Sequence, residues 1–264
     1  MPIRVVVHGA AGKMGSEVLS TLCRDTELQA VAAVDLKAER DHLSLPDGSG
    51  EVPFSPNLEE ILARVNPDVL VDFTIREATM PAVRLAARHG VNLVIGTTGL
   101  SPEDIGEIER LCREGDVGAV VAPNFSLGAV LMIHLAKLAA RYFDYGEVIE
   151  KHHEGKVDAP SGTALATARA MVEARGKPFC YPAPEKESLA GTRGGQIEGV
   201  GIHSVRLPGL LAHQEVILGA PGQTLTIRHD SISRESFMPG VIMAIKRVVR
   251  VKGLIHGLET LLGL

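Results

Sequence analysis

Tryptophan is absent from the 264-residue sequence, and aromatic residues make up only 3% of it. That is low for a chain whose 45% hydrophobic and 22% charged content is otherwise ordinary for a soluble globular protein. Cysteine is scarce as well. Cys23, Cys112 and Cys180 are odd in number and far apart, which argues against a disulfide framework or a zinc site and suits a reducing compartment. Basic excess is missing: the formal net charge is −5, whereas a general nucleic-acid binder carries a basic stripe. The opening MPIRVVVHGAAG has no basic segment followed by a long apolar stretch, so no signal peptide is expected. Val117 to Ala136 does run without Asp, Glu, Lys or Arg, for about the 20 residues that a bilayer requires. Pro123-Asn124 interrupts it, so it reads as a strand, a turn and a helix. The expectation is a cytoplasmic protein with neither membrane nor nucleic acid among its partners.

What is present is a rhythm. Continuous apolar runs, IRVVVHG (Ile3 to Gly9), Leu28 to Asp35, DVLVDFT (Asp68 to Thr74), VNLVIGTT (Val91 to Thr98) and VGAVVAP (Val117 to Pro123), have the pattern of strands buried on both faces. Helical stretches separate them, from Lys13 to Arg24 and from Arg76 to His89. Another starts at Ser101-Pro102-Glu103-Asp104, where serine caps, proline takes the first helical position and an acid the third. This predicts an α/β fold, a Rossmann-like doubly wound parallel sheet with right-handed crossovers. After Leu127 the rhythm changes to a long helix (Leu127 to Tyr142), a strand ending near Lys151 and a helix through Ala174. QIEGVGIHSVRLPG, HQEVILGAPG and QTLTIRHDSIS then alternate in polarity between Pro-Gly turns, like strands of a separate α+β domain with a mixed, largely antiparallel sheet. The tail from Ser236 to Arg250 is expected to be helical, to return to the first sheet and to add no strand. The predicted domains are 1–125 with 236–264, and 126–235.

Three features carry chemistry. VHGAAGKMG places Gly9, Gly12 and Gly15 between the first strand and first helix, where small residues let backbone approach a pyrophosphate at a helix start. The same spacing also makes plain tight turns. Asp35 ends the second strand about 20 residues later, where an acid accepts hydrogen bonds from an adenosine ribose. Lys13, Lys37 and Arg40 are near enough to meet a 2′-phosphate, so NAD and NADP both stay open. GTTG (Gly96 to Gly99) and APNFS (Ala122 to Ser126) follow strands of the same sheet, at the edge where open α/β sheets bind ligands.

The third feature is EKHHEGKVDAPSGT, from Glu150 to Thr163. Along a strand His152 and His153 would point to opposite faces. Service to one site therefore requires the strand to finish by about Lys151, with both histidines on a loop. Ser161 is a good N-cap, and Gly162-Thr163 then offer free N–H groups to an anion. Together with the Lys156 ammonium and two groups that titrate near neutrality, this suits a small carboxylate, with a proton to deliver alongside a hydride. A two-histidine metal site lacks a third ligand of convincing spacing, and a solvated loop is the plain alternative. GTRGGQ (Gly191 to Gln196) adds an arginine on flexible backbone, either a carboxylate-binding loop or a surface turn.

GAAGKMG, GTTG, APNFS and above all EKHHEGKVDAPSGTA resemble, in order along the whole chain, the dihydrodipicolinate reductase family of bacterial lysine and diaminopimelate biosynthesis. The resemblance implies a Rossmann domain joined to a substrate domain that forms a homotetramer. It implies NADPH or NADH as the cofactor and reduction of the cyclic dicarboxylate 4-hydroxy-tetrahydrodipicolinate to tetrahydrodipicolinate, with no metal. By the same likeness His152 is the proton donor or acceptor, Lys156 a proton donor, and His153, Gly162 and Thr163 bind substrate. Gly9, Ala10, Ala11, Gly12, Lys13, Met14, Asp35, Gly96, Thr97, Thr98, Ala122, Pro123, Asn124 and Phe125 line the dinucleotide. Some members carry an arginine directly after the acidic ribose ligand; here that place is Leu36, which weakens the case for NADP preference through that position.

Overall fold

The computed structural model describes all 264 residues, Met1 to Leu264. The chain divides into two compact units, Met1–Leu127 with Phe237–Leu264, and Gly128–Ser236.

In the first unit, strand β1 (Ile3–His8), helix α1 (Lys13–Arg24) and strand β2 (Leu28–Val34) form the opening crossover. A short hairpin, β3 (His42–Ser44) and β4 (Glu51–Ser55), precedes α2 (Leu58–Val65). Strand β5 (Val69–Asp72), α3 (Arg76–Arg88), β6 (Asn92–Ile95), α4 (Pro102–Glu114) and β7 (Gly118–Val121) complete the series. Ser101 caps α4 in a reciprocal box with Asp104, as its sequence predicts.

In the second unit α5 (Leu127–Ala139) runs into a single 3₁₀ turn, followed by β8 (Tyr145–His152) and α6 (Gly162–Arg175). Four strands come next: β9 (Gly195–Ile197), β10 (Val200–Arg206), β11 (Ala212–Ala220) and β12 (Gln223–Ser231). The chain then supplies α7 (Met238–Val248), β13 (Gly253–His256) and α8 (Leu258–Leu262) to the first unit.

The first sheet has the order β13-β7-β6-β5-β1-β2-β4-β3 and is parallel except for the β3–β4 hairpin. From β1 the chain winds outward through β2 to β4, then returns to β5 and winds the other way. The direction reverses between β1 and β5, where such sheets open their ligand crevice beyond the strand ends. Val5, Val6, Val7, Val69, Leu70 and Val71 are wholly buried, because helices cover both faces. One core layer joins α2, α3 and α4 to the sheet, while α1 and α7 pack together elsewhere against it.

The C-terminal tail differs from expectation. After α7 it adds β13, parallel to β7, as an edge strand. Its four residues, Gly253 to His256, with Gly253 and the following Gly257 at positive φ, are too few to show a strand period. The second sheet has the order β12-β11-β8-β10-β9 and is mixed. Its one parallel pair, β8 with β10, arises because QIEGVGIHSVRLPG contains a hairpin at Glu198-Gly199 and so supplies two strands. Val148, Val200, Ile202, Val216 and Leu218 on one face pack against Ala164, Ala168 and Met171 of α6.

Candidate active site

In the first unit the glycine loop is a tight bend sealed by its own backbone: the Gly9 and Ala10 N–H groups both donate to Val34 O. Gly9 adopts φ +82°, and a Cβ there would lie 2.8 Å from Phe73 O. A Cβ on Gly15 would lie 2.1 Å from Gly9 O, so this glycine lets α1 approach the bend. Helix α1 begins at Gly12 with no side-chain cap and no acid in its first turn, leaving bare N–H groups and the positive dipole end for an anion. Asp35 stands beside them: Oδ2 accepts from the Ala11 N–H at 3.0 Å and Oδ1 from Lys37 N–H at 3.0 Å. The bare helix start and adjoining carboxylate fit a dinucleotide phosphate and ribose.

The two later turns converge on a cavity of about 450 Å³ lined by Thr97, Thr98, Leu100, Val121, Pro123 and His256, among others. Several expected cofactor residues offer less than their side chains suggest. Ala10, Ala122 and Phe125 are buried, and the Phe125 ring packs 5.7 Å from that of Phe73. Thr97 is buried with its hydroxyl donating to Asp72 Oδ1 at 2.7 Å, in a cluster that also holds Thr79 and, through Oδ2, His8 at 2.6 Å. These positions can meet a ligand through backbone only. Asn124 turns its Oδ1 to the Ser126 N–H and shapes the turn.

In the second unit β8 extends one residue further than expected and ends on His152, which pairs with Arg206 of β10 and Ala212 of β11. Only His153 lies on the loop, where its carbonyl accepts from the Lys156 N–H. The strand continues because His152 faces inward with Glu150, two residues before it. Glu150 is wholly buried. Its Oε2 lies 2.5 Å from His152 Nδ1, and its two oxygens accept from Arg206 Nη1 and Nη2 at 2.9 and 2.8 Å. Burial opposes the Glu150 charge, but hydrogen bonds from Arg206, Ser204 and His152 outweigh it and hold the carboxyl below its ordinary range. Burial lowers the His152 pKa, the Lys156 and Arg206 charges add to that, and Glu150 opposes it.

Ser161 caps α6, accepting from the Ala164 N–H, while its own N–H donates to Glu150 Oε1. Gly162 is exposed, and a Cβ there would meet nothing within 4 Å. The fold itself therefore does not require glycine at this helix start. Lys156, expected as a cation for the ligand, donates to Asp158 Oδ1 at 2.6 Å. The site thus joins His152, the N-cap that precedes Gly162 and Thr163, and the loop that carries Lys156 to a carboxylate and a guanidinium that sequence reasoning missed. Glu150 had a signal, since residues two apart on a strand share a face. Arg206 had none, because only the β8–β10 register delivers it.

Other titratable groups of the second unit are paired among themselves. Arg193 of the GTRGGQ loop donates to Glu147, as does His203 through Nε2, and His213 pairs with Asp230. No group of three or more His, Cys, Asp or Glu is placed to hold a metal. All three cysteines are free, and burial pushes the Cys112 thiol up to about 11, the opposite of an activated nucleophile. No helix is long and apolar enough to cross a membrane.

Comparison with known proteins covers both units. The family model described as dihydrodipicolinate reductase, N-terminus, matches residues 3–125, and that described as its C-terminus matches 128–262. The 4-hydroxy-tetrahydrodipicolinate reductase of Dehalococcoides mccartyi is 59% identical over 100% of this chain and 99% of its own. That of Moorella thermoacetica is 50% identical over 98% of each. Among solved structures, dipicolinate-bound dihydrodipicolinate reductase from Paenisporosarcina sp. TG-14 superposes with a TM-score of 0.87 at 44% identity, covering 98% of this chain and 99% of that one. The chain belongs to the dihydrodipicolinate reductase family, and is an NAD(P)H-dependent oxidoreductase of lysine biosynthesis.

Proposed function

We propose that this chain reduces 4-hydroxy-tetrahydrodipicolinate to tetrahydrodipicolinate at the β8–α6 bend, with His152 and Lys156 as its proton-handling groups. The observation that carries the reading is the juxtaposition of His152, whose Nδ1 is committed to Glu150, with the bare N–H groups at the start of α6. The dinucleotide supplies a hydride when bound, and the substrate's hydroxyl leaves as water with one proton. Everything else falls to the protein. Gly162 and Thr163 N–H groups hold one substrate carboxylate at the helix dipole, as preorganised donors do. His153, on the loop that follows β8, contributes to substrate binding in this reading. His152 exchanges a proton through Nε2, the nitrogen left over from its bond to Glu150. Lys156 supplies positive charge and a second proton once the substrate carboxylate competes with Asp158 for its ammonium. The dipicolinate of the Paenisporosarcina structure is a planar dicarboxylate of the kind this cradle suits.

The first unit serves as the dinucleotide-binding domain and the second as the substrate-binding and oligomerisation domain. Gly9 to Met14 and Asp35 take the phosphate and ribose; Gly96 to Thr98 and Ala122 to Phe125 take the nicotinamide side, largely through backbone. The cofactor is NADPH or NADH. Leu36 beside Asp35 is exposed and uncharged, which leaves a 2′-phosphate only Lys37, Arg40 and Lys13 and favours use of NADH as well. A homotetramer in the cytoplasm is the assembly we favour. Helix α6 covers one face of the second sheet, while Tyr145 and Val205 stand exposed on the other.

Loss of reduced-nicotinamide absorbance, followed with freshly generated substrate and each cofactor separately, tests the reading. Substrate-dependent oxidation is expected. Binding of the cofactor without turnover would overturn it and leave a dinucleotide sensor.

A further inference from the structure

Glu150 is not among the expected site residues, yet it ties His152 to the start of α6 and, through Arg206, to the loop that carries Lys156. One oxygen holds His152 Nδ1 at 2.5 Å, and the other accepts from the Ser161 N–H, the N-cap of α6, at 3.2 Å. Arg206 clamps both oxygens and, through Nη2, donates to Asp158 O at 2.6 Å, on the loop that carries Lys156. The imidazole, the helix start and the lysine loop are thus tied to a single buried ion pair.

A wholly buried carboxylate that meets only donors costs desolvation energy, and fold alone does not call for one at the end of a strand. We propose that Glu150, clamped by Arg206, is a positioning residue that fixes His152 with a proton on Nδ1 and Nε2 free for substrate. A carboxylate oxygen has only lone pairs, so its bond to Nδ1 requires the N–H there. The bidentate guanidinium keeps Glu150 anionic and stops it from taking the proton itself. The charged groups facing His152 are Glu150 on its own strand, Arg206 on β10, and Lys156 on the loop, which is itself paired with Asp158. Glu150 is the one that favours the charged imidazole directly, so its loss moves the His152 titration to lower pH.

This inference rests on His152 acting in the reaction, and the test separates the two. In the full chain carrying ¹⁵N-labelled histidine, the neutral His152 ring is expected to show a protonated Nδ1 and a bare Nε2. In Glu150→Gln the amide oxygen can still serve Ser161 N–H, while its NH₂ donates toward Nδ1 and reverses the tautomer. We expect kcat to fall roughly 10- to 100-fold, the range for losing an outer partner that orients a histidine. KM should change much less, and the His152 limb of the kcat/KM profile should move to lower pH. If Glu150→Gln does not fold, Glu150→Gln with Arg206→Gln, which removes both charges together, is measured the same way. A bare Nδ1 in the wild type, or an unchanged limb and kcat in the folded variant, would overturn the inference. Wild-type turnover by His152→Gln would sink the role of His152 instead, and the tautomer measurement would still decide the role of Glu150.

Discussion

Lys156 Nζ lies 2.6 Å from Asp158 Oδ1, so the ammonium expected to face a dicarboxylate has a carboxylate of its own chain beside it. Asp158 is more than half exposed, and an ion pair of this kind contributes at most about 1 kcal/mol. A substrate carboxylate therefore displaces it cheaply. Replacing Asp158 by Asn should lower KM by roughly two- to five-fold, the affinity equivalent of that pair, with the melting temperature nearly unchanged. A raised KM would show that Asp158 places the lysine and does not compete for it.

Removal of Lys156 has the opposite sign. Lys156→Ala deletes both charge and proton, so KM should rise and kcat should fall together. Steady-state kinetics at saturating cofactor check this, and an unchanged kcat would confine Lys156 to binding.

For His152→Gln the expected loss is in kcat, roughly 10²- to 10⁴-fold, as for other general acid–base groups. Substrate affinity should move less, because the N–H groups at the start of α6 are untouched. Turnover at the wild-type rate would remove His152 from the chemistry.

Two glycine substitutions distinguish a ligand cradle from a folding requirement. At Gly162 a Cβ meets nothing within 4 Å, so Gly162→Ala should fold with the wild-type melting temperature and lose substrate affinity. At Gly15 the same methyl lands 2.1 Å from Gly9 O, so Gly15→Ala should destabilise the first unit and weaken dinucleotide binding. Thermal unfolding beside substrate and cofactor titrations separates the two. Equal destabilisation by both would count against the cradle.

Acid stability provides a test away from the site. Arg76, with hydrogen bonds from Ser101 behind it, holds the Asp104 carboxyl down to about 2, against an ordinary 3.8. A depressed carboxyl contributes stability above its unfolded value and loses it as pH falls. Asp104→Asn should therefore be the less stable protein at neutral pH. Its deficit should shrink between about pH 4 and pH 2 and be gone below that, as denaturant unfolding across this range would record.

Much of this molecule is legible residue by residue. Buried strands such as Ile3–His8 and Val69–Asp72 announce themselves because helices cover both faces and no polar position interrupts them. Ser101 and Ser161 mark helix starts because unpaired N–H groups need a local acceptor. Short, glycine-bracketed β13 carries no period to read, and the Glu198-Gly199 hairpin hid the parallel pairing of β10 behind an alternation that suggested antiparallel strands.

By itself the sequence determined which chemical groups are available: two imidazoles, an ammonium and a serine-capped helix start within one short segment, and glycines where a phosphate can approach. Only the tertiary structure decided how those groups are held. Arg206 reaches Glu150 from more than fifty positions away because strand register, which depends on packing across the whole sheet, sets it opposite His152 and on the face that Glu150 shares. The same register buries Glu150, and burial turns an ordinary acid two residues before a histidine into the fixed point of the site.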